Sequence, residues 1–158
     1  MKKAIVTGAN GFVGSAVVSE LLKNGIEVLA LGRKPLEKVN QKRLTESKRL
    51  TYLQIDLAEM DSFPEKIKKI GWTPGDSCVF YNFAWLGKNG LTDGTIKDQL
   101  KNVTYSANSV AIAKQIGCVK FVNIGSMEET FVDKYLEFNW QNQEYHSGQD
   151  IYAISKHG

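Results

Sequence analysis

Short, mainly apolar runs alternate along the chain with longer stretches in which apolar residues return every three or four positions. Ala4-Ile5-Val6 is the first run, closed by Thr7-Gly8. Val13, Val17 and Leu21, with Leu22 beside them, then share one face of a helix that Gly25 ends. Val28–Leu31 is a second run, stopped by Gly32. Leu50–Ile55 is a third, stopped by Asp56. A short helix is predicted over 62–70, ended by Gly71, and Cys78–Tyr81 forms a fourth strand. A longer helix is predicted over about 96–116, with Leu100, Val103, Ala107, Val110 and Ala111 on its inner face and Gly117 closing it. Val119–Ile124 is a fifth strand, and a last helix begins near Ile151. Near-continuous apolar strands are buried on both faces, as parallel strands between helical layers are. The alternation therefore predicts an α/β fold, a doubly wound parallel sheet in strand order 3-2-1-4-5.

The connections are unequal. Residues 84–95, after the fourth strand, are rich in glycine. Residues 126–150, after the fifth, are polar but carry Phe131, Tyr135, Phe138, Trp140 and Tyr145. Both leave the carboxyl ends of central strands, where open α/β sheets bind ligands. The aromatic residues either line a substrate pocket or build a small satellite core.

Composition narrows the class. The chain has 158 residues, 42% of them apolar, enough for one domain with a real core. A net charge of +3 is too weak to imply nucleic acid. No apolar run approaches the ~18 residues of a membrane span, and the run after Met1-Lys2-Lys3 is too short for a signal peptide, so the expected compartment is the cytoplasm. Cys78 and Cys118 lie in apolar runs without metal-binding spacing and are expected to be reduced core residues. His146 and His157 show no ligand spacing and are expected at the surface. Positive charge is concentrated locally: Arg33, Lys34, Lys38, Lys42, Arg43, Lys48 and Arg49 oppose only Glu37 and Glu46.

The segment TGANGFVGS sets Gly8, Gly11 and Gly14 between the first strand and the first helix. Gly8 permits a tight turn, Gly11 lets the backbone approach a pyrophosphate, and Gly14 lets helix and strand pack closely. The helix amino terminus, from Asn10 through Phe12 and Val13, offers main-chain N–H groups and partial positive charge to the phosphates. At the end of the second strand a carboxylate would bind the ribose hydroxyls of NAD. Gly32-Arg33-Lys34 stands there instead, with no acid before Glu37. Arg33 can grip a phosphate in two places and Lys34 adds charge, which favours NADP(H) over NAD(H).

Gly8-x-x-Gly11-x-x-Gly14 followed by Tyr152-x-x-x-Lys156 resembles the short-chain dehydrogenase/reductase superfamily, in particular its extended branch of NAD(P)-dependent nucleotide-sugar epimerases and dehydratases. The resemblance covers essentially the whole chain and implies a Rossmann domain. It implies that Asp56, with Leu57 beside it, contacts the adenine. It implies that Phe83 and Ala84 of YNFAWLG run along the coenzyme, and that Asn102 lies near the active site. Ser126 resembles the catalytic hydroxyl. Glu128 stands at the place of the glutamate of the family's dehydratases, and Met127 at that of their acid.

A tyrosine at its reference pKa of ~10 is a poor acid or base, but a lysine one turn away can stabilise its phenolate. By resemblance, Ser126 holds the substrate oxygen, Tyr152 moves its proton and Lys156 binds the nicotinamide ribose. The implied function is an NADP-dependent nucleotide-sugar epimerase, dehydratase or keto-sugar reductase acting on a small-molecule substrate. The alternatives are a non-catalytic NADP(H)-binding regulator or scaffold, and a reductase of non-sugar carbonyls. Members of the branch are about twice this length. Residues 1–158 are therefore expected to be the NAD(P)-binding domain, without the carboxy-terminal substrate-binding part and the last strands. Such a piece is expected to bind coenzyme weakly, to turn over little substrate, and to self-associate through uncovered sheet surface.

Overall fold

The computed structural model describes residues 1–39, 42–44, 46–87, 96–130 and 148–157. Five strands, β1 (Lys3–Thr7), β2 (Glu27–Gly32), β3 (Leu50–Gln54), β4 (Cys78–Asn82) and β5 (Lys120–Asn123), pair in parallel in the order β3-β2-β1-β4-β5. The α-helices with both ends among the described residues are α1 (Phe12–Lys23), α2 (Phe63–Lys69), α3 (Ile96–Gln115) and α4 (Gly148–His157). The strand order and the helical layers are those the apolar pattern predicts, and each strand boundary falls within a residue of the expected one.

Two compact units divide the chain. Met1–Ala84 and Tyr105–Ile124 make the first, which contains the whole sheet, α1 and α2. Trp85–Thr104 and Gly125–Gly158 make the second, which contains α4.

Strand alternation sorts the core of the first unit onto two faces. Ile5, Leu29, Leu31 and Phe80 point one way and pack with Met60, Phe63, Ile67 and Ile112. Ala4, Val6, Val28 and Ala30 point the other way and pack with Val18 and Leu21. Each large side chain so buried contributes about 1.5–3 kcal/mol. Cys78 is buried and Cys118 half-buried, both as free thiols. Their hydrogen bond and burial push Cys78 upward from the ordinary thiol range.

The helix faces differ from the apolar count. Val13 is exposed, and the inner face of α1 runs through Gly14, Val18 and Leu21. In α3, Leu100, Ala107, Val110 and Ala111 face outward. The buried positions are Gln99, Asn102, Ser109, Ile112 and Ala113. The reason is polar satisfaction. Asn102 and Gln99 are hydrogen-bonded inside the second unit, and Ser109 Oγ donates to the Tyr105 carbonyl at 2.8 Å. Burial then costs these groups little, and a count of apolar positions selects the wrong stripe.

Residues 88–95 of the glycine-rich connection, and Phe131, Tyr135, Phe138, Trp140, Tyr145 and His146, lie outside the described residues. Among the described residues, His157 is exposed, no helix is long and apolar enough to cross a membrane, and no acidic, histidine and cysteine groups gather as a metal site.

Candidate functional site

In the first unit the glycine segment turns directly from β1 into α1. Gly8 takes φ +62°, in the left-handed region. A Cβ on Gly8 would lie 2.9 Å from the Ala84 nitrogen, and one on Gly14 only 2.3 Å from the Gly8 carbonyl oxygen. The turn is closed by Gly11 N–H donating to the Gly8 carbonyl at 2.9 Å, and Ser15 N–H makes the first helical bond, to Gly11. The first-turn N–H groups of Phe12, Val13 and Gly14 therefore have no carbonyl a full turn behind them within the helix. Phe12 is 85% exposed despite its size. A turn with glycine at its tightest points, leading into a helix amino terminus, offers main-chain N–H groups of the kind that hold a diphosphate.

Thr7 fixes the floor under that turn. Its buried hydroxyl donates to Asn82 Oδ1 at 2.7 Å and accepts from the N–H groups of Phe83 and Ala84, both at 3.1 Å. Asn82 in turn donates to Asn123 Oδ1 at 3.0 Å. The carboxyl ends of β1, β4 and β5 are thereby tied by side chains where their ladders run out.

β3 fixes the backbone that carries the basic pair. Gln54 Nε2 donates to the Arg33 carbonyl at 3.1 Å, and the Tyr52 hydroxyl to the Lys34 carbonyl at 2.6 Å. Both basic side chains are exposed. Gly32 makes room for the Tyr52 hydroxyl, which a Cβ there would approach to 2.5 Å. A third cation, Arg43, reaches the glycine segment itself, its Nη1 donating to the Asn10 carbonyl at 3.2 Å. Asp56 caps the turn after β3, its carboxylate accepting from Ala58 N–H at 3.0 Å, and Leu57 beside it is half-buried.

The second unit holds the other candidates. Ser126 N–H donates to Glu129 Oε1 at 2.8 Å, and Ser126 Oγ accepts from Glu128 N–H at 3.2 Å. Glu128 thus meets Ser126 through its main chain, and the acid that folds back onto Ser126 is Glu129. On α4, Tyr152 and Lys156 are half-buried one turn apart. Burial pushes the Lys156 ammonium down to about 8, against an upward pull from the Glu129 carboxylate. Its Nζ lies 3.7 Å from the centroid of the Trp85 ring, and Trp85 meets the Tyr152 ring edge-on at 5.8 Å. Asn102 is committed to the connection after β4. Its carboxamide accepts from Leu86 N–H at 2.6 Å and donates to the Leu86 carbonyl at 2.9 Å.

The fold thus brings Gly8, Asn10, Gly11, Phe12, Val13, Gly14, Phe83 and Ala84 to the β1 and β4 ends, with Arg33 and Lys34 at the end of β2. It brings Ser126, Glu128, Asn102, Tyr152 and Lys156 into the second unit. Thr7, Arg43, Trp85, Gln99 and Glu129 escape the sequence reading. Only Thr7 carries a local signal, a polar residue closing an apolar strand.

A model of the NAD dependent epimerase/dehydratase family matches residues 4–157. An uncharacterized protein of Saccharomyces cerevisiae, YLL056C, is 34% identical over 87 residues, 55% of this chain and 27% of that protein. A UDP-galactose 4-epimerase structure superposes with a TM-score of 0.68 at 21% identity, over 98% of this chain and 48% of that one. The Bordetella bronchiseptica enzyme WbmG, solved in complex with NAD and UDP, superposes with a TM-score of 0.69 at 18% identity, over 99% and 47%. The chain spans about half the length of these solved structures, and the 87 matched residues cover about a quarter of the yeast relative.

Proposed function

The chain belongs to the NAD-dependent epimerase/dehydratase family, and on that premise we propose that it binds NADP(H) in preference to NAD(H) and serves hydride transfer at a carbinol or keto carbon of a nucleotide sugar. The observation that carries the reading is the glycine turn, whose closeness to Ala84 and to its own Gly8 carbonyl leaves room only for backbone beside a helix amino terminus. The nicotinamide ring supplies the hydride acceptor or donor. Main-chain N–H groups of Asn10, Phe12 and Val13 hold the pyrophosphate, and Gly14 keeps the helix close. Arg33 and Lys34 meet the 2′-phosphate, and Arg43, already at Asn10, adds a third charge. Asp56 and Leu57 flank the adenine, and Phe83 and Ala84 flank the path between. Tyr152 moves the proton of the reacting hydroxyl, Ser126 orients that oxygen and Lys156 stabilises the phenolate.

The nucleotide-sugar assignment draws on the family and on the UDP bound to WbmG. Because those structures are about twice as long, residues 1–158 are assigned coenzyme binding and the proton-transfer residues. The sugar-binding surface is assigned to sequence of the kind those relatives carry beyond the matched portion. Titration calorimetry with both coenzymes tests the reading. NADP+ is expected to bind at least tenfold tighter than NAD+, and Arg33→Ala to remove most of that difference. Tighter NAD+ binding, or indifference of NADP+ to Arg33→Ala, overturns the preference. Silence with both coenzymes overturns the function.

A further inference from the structure

We propose that Trp85 is a positioning residue for the Tyr152–Lys156 pair, its indole face seating the Lys156 ammonium and its ring setting the Tyr152 ring edge-on. The inference rests on the reading of that pair as the proton-transfer residues. Its geometry lies entirely within the second unit.

Two contacts place Trp85 against both side chains at once. Lys156 Nζ lies 3.7 Å from the indole centroid, close enough for direct contact of the ammonium with the ring face. The ring meets Tyr152 at 5.8 Å and 79°, the edge-to-face arrangement that aromatic quadrupoles favour. Lys156 also lies 5.9 Å from the Tyr152 centroid, so the three side chains form one cluster.

Trp85 is itself anchored. Its Nε1–H donates to Gln99 Oε1 at 3.1 Å. Gln99 is only 2% exposed, and the same oxygen accepts from Asn102 Nδ2 at 3.1 Å. Asn102 clamps both main-chain groups of Leu86, the residue after Trp85. A chain of buried amides on α3 thus sets the indole plane, and the plane sets where the ammonium sits. This explains why α3 buries two carboxamides where a helix normally buries apolar side chains.

The arrangement has a chemical consequence. Burial strips water from Lys156 and disfavours its charged form. Glu129, from the segment after β5, and the Trp85 π face oppose that cost, and Tyr152 faces the ammonium from one turn back on α4. Without the ring face, the lysine would hold its proton less well in the same dry surroundings.

Competitive acetylation tests this without coenzyme or turnover. The chain is treated with trace acetic anhydride at stepped pH, and labelling of the Lys156 peptide is followed by mass spectrometry. Wild type is expected to inflect near 8. Trp85→Leu keeps an apolar filling but has no π face, and its inflection is expected to fall by about half a pH unit or more. That is about threefold more neutral amine at pH 7. Trp85→Phe, which restores a ring face, is expected to recover most of the difference. An inflection in Trp85→Leu that stays or rises overturns the proposal. Should that variant fail to fold by circular dichroism, Gln99→Leu decides. It keeps the indole but removes the acceptor that orients it, so a smaller fall supports the proposal and no change overturns it. Failure of both coenzymes to bind would refute the proposed function and leave this labelling result standing.

Discussion

Two glycines of the same chain make opposite demands at the residue scale. At Gly14 a methyl group would lie 2.3 Å from the Gly8 carbonyl oxygen, which is main chain and cannot swing away. Gly14→Ala is expected to cost roughly 1–3 kcal/mol in urea denaturation and to abolish coenzyme heat in calorimetry. Gly25 has φ +75° but nothing within 4 Å of its missing Cβ. Gly25→Ala is expected to cost about 1 kcal/mol of backbone strain and to leave coenzyme affinity unchanged. Equal effects on binding would remove the distinction between a turn that shapes a ligand site and one that only ends a helix.

Lys156 carries a pH prediction at the same scale. Its folded value of about 8 lies below the ordinary lysine value of 10.5, so the unfolded chain holds more protons between those limits. Stability therefore rises as pH climbs through that window and is penalised below it. Lys156→Met removes the buried charge. Its melting temperature is expected to exceed wild type at pH 7, with the gap narrowing by pH 10. A gap that is constant with pH would exclude the titration as its source.

At the scale of elements, the link between strands deserves the closest test. Thr7 receives two main-chain N–H groups that follow β4, and among the described residues no ladder partner replaces its hydroxyl in that role. Thr7→Val is nearly isosteric but leaves both donors without it, at about 1–3 kcal/mol for each buried group left unpaired. Thr7→Ser keeps the hydroxyl and is expected to retain most of the stability in the same denaturation series. If valine and serine behave alike, the hydroxyl is not what ties the strand ends.

Elements also show what the sequence makes legible. The central strands could be read because Ile5, Val28, Leu29, Phe80 and their neighbours are buried on both sides. The edge strands β3 and β5, which carry Thr51, Gln54, Lys120 and Asn123, are half-buried or exposed and still show enough apolar residues to be placed. The glycine turn could be read because its constraints are steric and local. The inner face of α3 could not, since Gln99 and Asn102 are buried through partners at Trp85 and Leu86. Arg43 and Glu129 were hidden for a related reason. Their contacts at Asn10 and Ser126 depend on how a connection folds back, which neither periodicity nor spacing records.

For the molecule as a whole, strand order sets the timing of assembly. β1 pairs with β2 from nearby sequence, Lys3 beside Glu27, but its other neighbour is β4, where Lys3 lies beside Cys78. The Thr7–Asn82 bond closes the same gap, with 75 positions between its partners. Contacts this distant in sequence slow folding because a long loop must close before they form. On a ribosome adding ~5–20 residues per second, β1 waits roughly 4–15 s for its second neighbour. Through that interval one edge of the nascent sheet stays open, and Ala4-Ile5-Val6, later among its most sheltered residues, offer an adhesive apolar edge.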